Sequence, residues 1–193
     1  MQPVRAAPVE PAVVADVEYR NATPDDALCI SVLAMQVFLD TYATDGLRSD
    51  LAREALSVYS PDAFTARFVQ PATHFLLAER SGHLLGFAEI SLTSSLPDAP
   101  PNASIVNGAE LARLYVQRPF KRLRIGGALL RRAEALAADN AASCLWLTAW
   151  SGNAPACAFY AASGYSDVGA THYMIEGNTY ENRVFVKALT TAL

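Results

Sequence analysis

Cysteine is scarce in this sequence: three residues in 193, at Cys29, Cys144 and Cys157. An odd count without paired spacing indicates no disulfide framework and points to a reducing compartment, so a cytoplasmic location is expected. Histidine is equally sparse. His74, His83 and His172 stand apart from any cysteine at zinc-ligand spacing, and no metal is expected. Charged residues make up 18% of the chain and the net charge is −4. That balance excludes nucleic-acid binding through a dominant basic surface, which needs clustered lysine and arginine. No apolar run reaches the roughly 18 residues of a membrane span. Glu10, Pro11 and Asp16 interrupt the N-terminal segment before the hydrophobic stretch of a signal peptide forms.

What is abundant is apolar surface: hydrophobic residues are 52% of the chain, enough for one domain with a full core. Residues 1–16, rich in Pro and Ala without a clean period, read as a flexible arm, and 17–193 as a single domain. A short strand at 17–20 precedes Thr23-Pro24-Asp25-Asp26, where a capping Thr, a first-turn Pro and two carboxylates open a helix. That helix carries Leu28, Val32, Met35 and Leu39 at helical spacing and ends near Tyr42. Helices are expected at 51–58 and 61–69, and strands at 74–79 and 83–92 joined by Ser81-Gly82. The proline-rich stretch 96–108 reads as a surface loop. Then come a strand at 110–116, a helix at 125–138, a strand at 144–150, a helix at 154–162, and strands at 166–175 and 183–189 around Glu176-Gly177-Asn178. This order describes an α/β fold built on a mixed sheet.

Two segments carry chemistry. Residues 110–130 read ELARLYVQRPFKRLRIGGALL: an apolar strand, a short basic loop, and a helix whose first turn holds Gly126 and Gly127. The unpaired N–H groups of a helix start form an anion cradle, and glycine lets a phosphate approach the backbone. Taken alone, the segment is equally readable as a basic surface helix without a ligand. Residues 145–165, LWLTAWSGNAPACAFYAASGY, place Asn153 at the start of a helix, followed by Ala156, Phe159, Tyr160, Gly164 and Tyr165.

Together the segments resemble the signatures of the GNAT superfamily of N-acetyltransferases. The second matches its N-x-x-A-x-x-F-Y-x-x-x-G-F/Y pattern in full. The first aligns with its Q/R-x-x-G-x-G/A pyrophosphate pattern, with Lys121 at the Gln/Arg position and Arg124 at the first glycine. Arg124 is acceptable there if the chain already enters the helix, and strained if the position needs positive φ. The former is expected.

The resemblance implies the GNAT fold, a single mixed, mostly antiparallel, twisted sheet flanked by helices, and acetyl-CoA as cosubstrate. It also implies roles by position. The backbone of Leu114, Tyr115 and Val116 would pair with the pantetheine arm and polarise the thioester. Lys121, Arg122, Leu123, Arg124, Ile125, Gly126 and Gly127 would cradle the pyrophosphate. Asn153 would bond the pantetheine, and Tyr160 would contact the cofactor and protonate the departing thiolate, unless it is simply a core tyrosine. Glu110, 11 positions before Lys121, has the spacing of the catalytic glutamate in histone acetyltransferase members, although a solvent-facing carboxylate would read the same. Glu89 is the reserve base. Cys157 lacks a nearby His and is expected to be a buried thiol, so transfer is expected to be direct.

Phe38 to Tyr42, Leu147 to Trp150 and Val168 to His172 are similar to small bacterial spermidine/spermine N-acetyltransferases. This implies a small-molecule amine acceptor, a polyamine or another small amine, contacted by Asp40, Glu89 and Glu110 and by the aromatic face of Tyr42. A homodimer is compatible with the sequence. A protein-modifying acetyltransferase and a non-catalytic acetyl-CoA-binding module remain open alternatives.

Overall fold

A computed structural model describes residues 16–94 and 107–190. All but the last residue of the expected arm at 1–16, and most of the proline-rich loop, fall outside those residues. The chain starts at an edge strand, β1 (Glu18–Asn21), and turns at Thr23, where Asp26 accepts a hydrogen bond from the Thr23 N–H at 2.7 Å. A 3-10 turn (Pro24–Asp26) leads into α1 (Ala27–Tyr42). Arg20 locks this corner, reaching Asp26 on one side and Glu79 on the other at 2.7 Å each. Two short helices follow, α2 (Ser49–Val58) and α3 (Pro61–Phe68), the latter capped by Ser60. Strands β2 (Thr73–Arg80) and β3 (His83–Ser91) form a hairpin on Ser81-Gly82, whose φ angles of 51° and 76° are those of a two-residue turn matched to strand twist.

Then come β4 (Gly108–Val116), α4 (Ile125–Asp139), β5 (Cys144–Trp150), α5 (Ala154–Ala162), β6 (Ser166–Ile175) and β7 (Asn178–Ala188). The seven strands order as β1-β2-β3-β4-β5-β7-β6. One face packs on α4 and α5 through residues such as Leu129, Leu145, Leu147 and Phe185. The other packs on α1–α3 through Ile30, Phe38, Phe64 and Phe87. Among the described residues, no helix is long and apolar enough to cross a membrane.

Two sequence expectations need correction. Helix α1 buries Ile30, Leu33, Ala34, Val37 and Phe38, while Leu28 and Val32 are 60% and 57% exposed. The helix is apolar nearly all round, so spacing alone does not choose a face. Strand β7 starts at Asn178, five residues before the expected Arg183, because Glu176-Gly177 (φ 44° and 86°) close a tight hairpin and draw the polar run Asn178–Asn182 into the ladder.

The feature that positions the site is a split in the sheet. Strands β4 and β5 run parallel and pair at only three positions, Gly108–Cys144, Ala109–Leu145 and Glu110–Trp146. On its other side β4 pairs with β3, but Ala112 is extra: Glu89 faces Arg113 and Ile90 faces Leu111. Such a bulge bends a strand and increases its twist. Meanwhile β5 stays in register with β7 as far as Trp150–Asn182. Strands β4 and β5 therefore diverge after Glu110.

Candidate active site

The split leaves one edge of β4 without a strand. The N–H of Gln117 donates to Leu85 at 3.0 Å, which sets the alternation: Arg113 and Tyr115 turn their backbone groups to β3, and Leu114 and Val116 turn theirs into the gap. The sequence reading grouped all three residues of 114–116. The register corrects this for Tyr115, whose backbone belongs to the β3 ladder. Its side chain lies on the α1–α3 face.

Helices α4 and α5 start at the carboxyl ends of β4 and β5, where open sheets bind ligands. The start of α4 meets the middle of α5. A Cβ at Gly126 would lie 3.8 Å from Phe159 and 3.9 Å from Val116, so the α4 N-terminus adjoins both β4 and α5. The loop before it is unusual. Lys121 has φ −63°, Arg122 +65° and Arg124 +62°, with Leu123 not among the positive values. Alternating signs of this kind turn successive N–H groups to one side and make an anion-binding concavity.

The expectation that Arg124 merely enters the helix is thus wrong: it is left-handed, because the loop needs the φ alternation before the helix can start. The side chains of Lys121, Arg122 and Arg124 are exposed and form no ion pair among the described residues. Ile125 is buried and anchors the first turn, with Leu123 packed beside the same core. A left-handed arginine costs roughly 1–2 kcal/mol, partly offset by the extra unfolded-state freedom of glycine. Arg124→Gly should therefore raise the melting temperature of the ligand-free protein by up to about 3 °C, measurable by calorimetry.

Asn153 caps α5, its Oδ1 accepting from the Ala156 N–H at 3.3 Å, and its own N–H bonds Trp150. Two turns on, the Tyr160 ring is buried against Tyr165 and Phe185, both 5.9 Å between ring centroids. Its hydroxyl makes no hydrogen bond among the described residues, and burial pushes its pKa up, keeping it a neutral proton donor. Cys157 lies 3.7 Å from the Trp150 carbonyl. Burial raises the pKa of its thiol, with Asp167 adding to the effect, and this opposes a thiolate nucleophile.

On the α1–α3 face, Glu110 stands at the last β4–β5 pair, where the split begins. Desolvation raises its pKa, with the Glu89 charge adding, while a Ser94 hydrogen bond and Arg113 oppose the rise. A carboxyl raised in this way accepts a proton more readily than an unshifted one. The other acceptor-side candidates fare differently. Glu89 is only 5% exposed, paired with Arg113 at 2.5 Å and with Arg67 at 3.8 Å. Its charge is already committed, which corrects its assignment as reserve base or substrate contact.

Tyr42 stacks on Trp150 at 5.2 Å, with Phe38 at 5.0 Å and Tyr180 edge-on at 5.2 Å. The aromatic face expected to meet a cation is covered by other rings. Trp150 in turn lies over Gly152, where a Cβ would come within 2.4 Å of the indole. Asp40 is exposed, and no hydrogen bond or ion pair joins it to the other candidates. Sequence reasoning missed Arg67 and Arg113. The signal was present in Arg113, a lone charge inside the apolar strand LARLYV.

Residues 42–165 match the family model for the acetyltransferase (GNAT) family. The chain belongs to that family. An uncharacterized N-acetyltransferase from the pepI 3′ region of Lactobacillus delbrueckii subsp. lactis is 24% identical over 157 residues, spanning 81% of this chain and 88% of its own. Among solved structures, the PaiA N-acetyltransferase of Thermoplasma acidophilum, in complex with coenzyme A, superposes with a TM-score of 0.69. Its identity is 21%, covering 90% of this chain and 99% of that one. YncA from Salmonella typhimurium, solved with its cofactor acetyl-CoA, gives 0.66 at 17% identity, covering 93% and 97%. At these identities the structural likeness shows the GNAT fold, one seven-stranded mixed sheet flanked by helices.

Proposed function

We propose that this acetyltransferase moves an acetyl group from acetyl-CoA directly to a small primary amine, with both substrates held in the split between β4 and β5. The observation that carries this reading is a convergence at one end of the sheet. The open edge of β4, the φ-alternating loop 121–124 with the first turn of α4, and the up-shifted carboxyl of Glu110 all border the same opening. Coenzyme A bound to PaiA and acetyl-CoA bound to YncA support the choice of donor.

Acetyl-CoA supplies an activated acyl group when bound. The chain does the rest. Lys121, Arg122 and Arg124, with the N–H groups through Gly127, hold the pyrophosphate. Leu114 and Val116 offer their backbone groups to the pantetheine arm and to the oxygen on which charge develops, and Asn153 adds a side-chain amide. Glu110 takes the proton that an ammonium must lose before it attacks. Tyr160 returns a proton to the leaving sulfur. The resemblance of three segments to spermidine/spermine enzymes makes polyamines one acceptor class to test beside other small amines.

The kinetic test is direct. Initial rates with both substrates varied should give intersecting double-reciprocal lines, as direct transfer requires; parallel lines would indicate a covalent enzyme intermediate and overturn the scheme. Tyr160→Phe should lower kcat by roughly tenfold or more, with acetyl-CoA affinity nearly unchanged. An unchanged kcat, with chemistry shown to be rate-limiting, would reduce Tyr160 to packing.

A further inference from the structure

We infer that the acceptor carries an oxyanion beside its primary amine, a carboxylate or phosphoryl group, and that Arg67 and Arg113 bind it. This rests on the acetyl-transfer reading of the same site and narrows its substrate. Arg113 is the first residue on the Glu110 face of β4 after the bulge, and Arg67 reaches the same place from α3. Both meet Glu89: Arg113 Nη1 lies 2.5 Å from Oε2, and Arg67 Nε 3.8 Å from Oε1. Two guanidiniums thus share one buried carboxylate. Glu110 forms no ion pair with either among the described residues, and a base cannot be spent as a counterion.

Hydrogen bonding is short in the same sense. Among the described residues, four enclosed side-chain polar atoms have no partner, and three of them are donors: Arg67 Nη1, Arg113 Nε and Trp146 Nε1. The fourth is Asn182 Oδ1. Trp146 pairs in register with Glu110, where the split begins, and Asn182 pairs with Trp150 at the far end of β5. Buried polar atoms are nearly always satisfied in native proteins, and the two arginine nitrogens, brought together on Glu89, call for an absent partner. Arg67 and Arg113 retain 18% and 16% side-chain exposure, so part of each side chain borders solvent while the two unpartnered nitrogens are enclosed. The Tyr59 ring, 5.3 Å from the Arg113 guanidinium, walls its side.

A polyammonium chain supplies only donors and positive charge, and so worsens both deficits. An oxyanion supplies acceptors and negative charge, and guanidinium is the side chain that matches it best. With the oxyanion on Arg113, the amine of a compact molecule falls toward Glu110. Amino acids and aminoalkyl phosphonates have this form; spermidine does not.

The experiment compares kcat/KM for a matched trio at fixed acetyl-CoA: an α-amino acid, its aminoalkylphosphonate analogue and the decarboxylated amine, with spermidine alongside. One oxyanion-bearing member should exceed the parent amine by at least roughly tenfold, and which of the two leads distinguishes carboxylate from phosphoryl. In Arg67→Gln that ratio should collapse toward one. If circular dichroism shows that variant misfolded, Arg67→Lys keeps the charge but loses the fork, and the ratio should still fall. A wild-type preference for the parent amine or spermidine, or a ratio unmoved in the folded variant, overturns the inference while leaving acetyl transfer standing. Absence of thiol release with every amine removes both.

Discussion

Replacing Gly126 with leucine should abolish most of the thermal stabilisation that acetyl-CoA confers on the wild-type protein. A Cβ at this position makes ordinary contacts of 3.8 Å to Phe159 and 3.9 Å to Val116, so alanine fits and the helix start survives. Leucine extends three carbons further, into the space between the α4 N-terminus, β4 and α5 where the pyrophosphate is proposed to lie. A ligand that binds only the folded state at a hundredfold excess over Kd stabilises by about 2.7 kcal/mol, and hundredfold weaker binding would cut this to about 0.4 kcal/mol. In a chain of this size that is a fall from a shift of roughly 5–10 °C to about 1 °C. Gly126→Ala should keep most of the shift. Equal shifts in wild type and Gly126→Leu would exclude this loop as the cofactor cradle.

Glu110→Gln should lower kcat/KM by about 10²–10⁴-fold, the usual contribution of a positioned base. The deficit should be greatest at low pH, where little free amine exists, and should shrink as pH rises. Stability should move the other way. The folded-state pKa of Glu110 is raised, chiefly by desolvation, so between its unfolded and folded values the folded chain binds the extra proton and stability falls as pH increases. Above both values an ionised carboxyl is buried at a cost that glutamine does not carry. Glu110→Gln should therefore melt higher than wild type at neutral pH, and the gap should close below the ordinary carboxylate range. A pH–rate profile and melting curves across pH check both signs. Activity and stability falling together would mean that Glu110 is a structural residue.

The elements were legible in the sequence wherever capping and period were strong. Strand β5 and helix α5 fall on their expected bounds, and Thr23 and Ser60 start their helices as read. The inward face of α1 was not legible, since a helix with Leu28, Val32, Ile30 and Phe38 offers two apolar stripes and only tertiary packing selects one. The split was not legible either. It arises from one extra residue, Ala112, opposite an otherwise regular β3, and a bulge leaves no trace in alternation when its neighbours are Leu111 and Arg113.

Motif spacing drew attention to the loop 121–124 proposed as the cradle, yet the left-handed Arg124 runs against the residue preference at that position. On the acceptor side, single residues were read for charge alone. Glu89 and Tyr42 carry suitable chemistry, but Arg113 and Trp150 occupy them. Arg67 and Arg113 come together across some forty-six positions of chain, a juxtaposition that no local pattern reports.

The central claim, that the β4–β5 split brings acetyl-CoA and an amine together for direct transfer, is tested most directly by following free thiol and acetylated product in one reaction. The purified chain, given acetyl-CoA and a panel of primary amines that includes the matched trio, should release thiol only when an accepted amine is present. Mass spectrometry should find one N-acetylated product for each thiol released. Thiol release that is independent of any amine, or no release across the panel from a folded protein that acetyl-CoA stabilises, would contradict it.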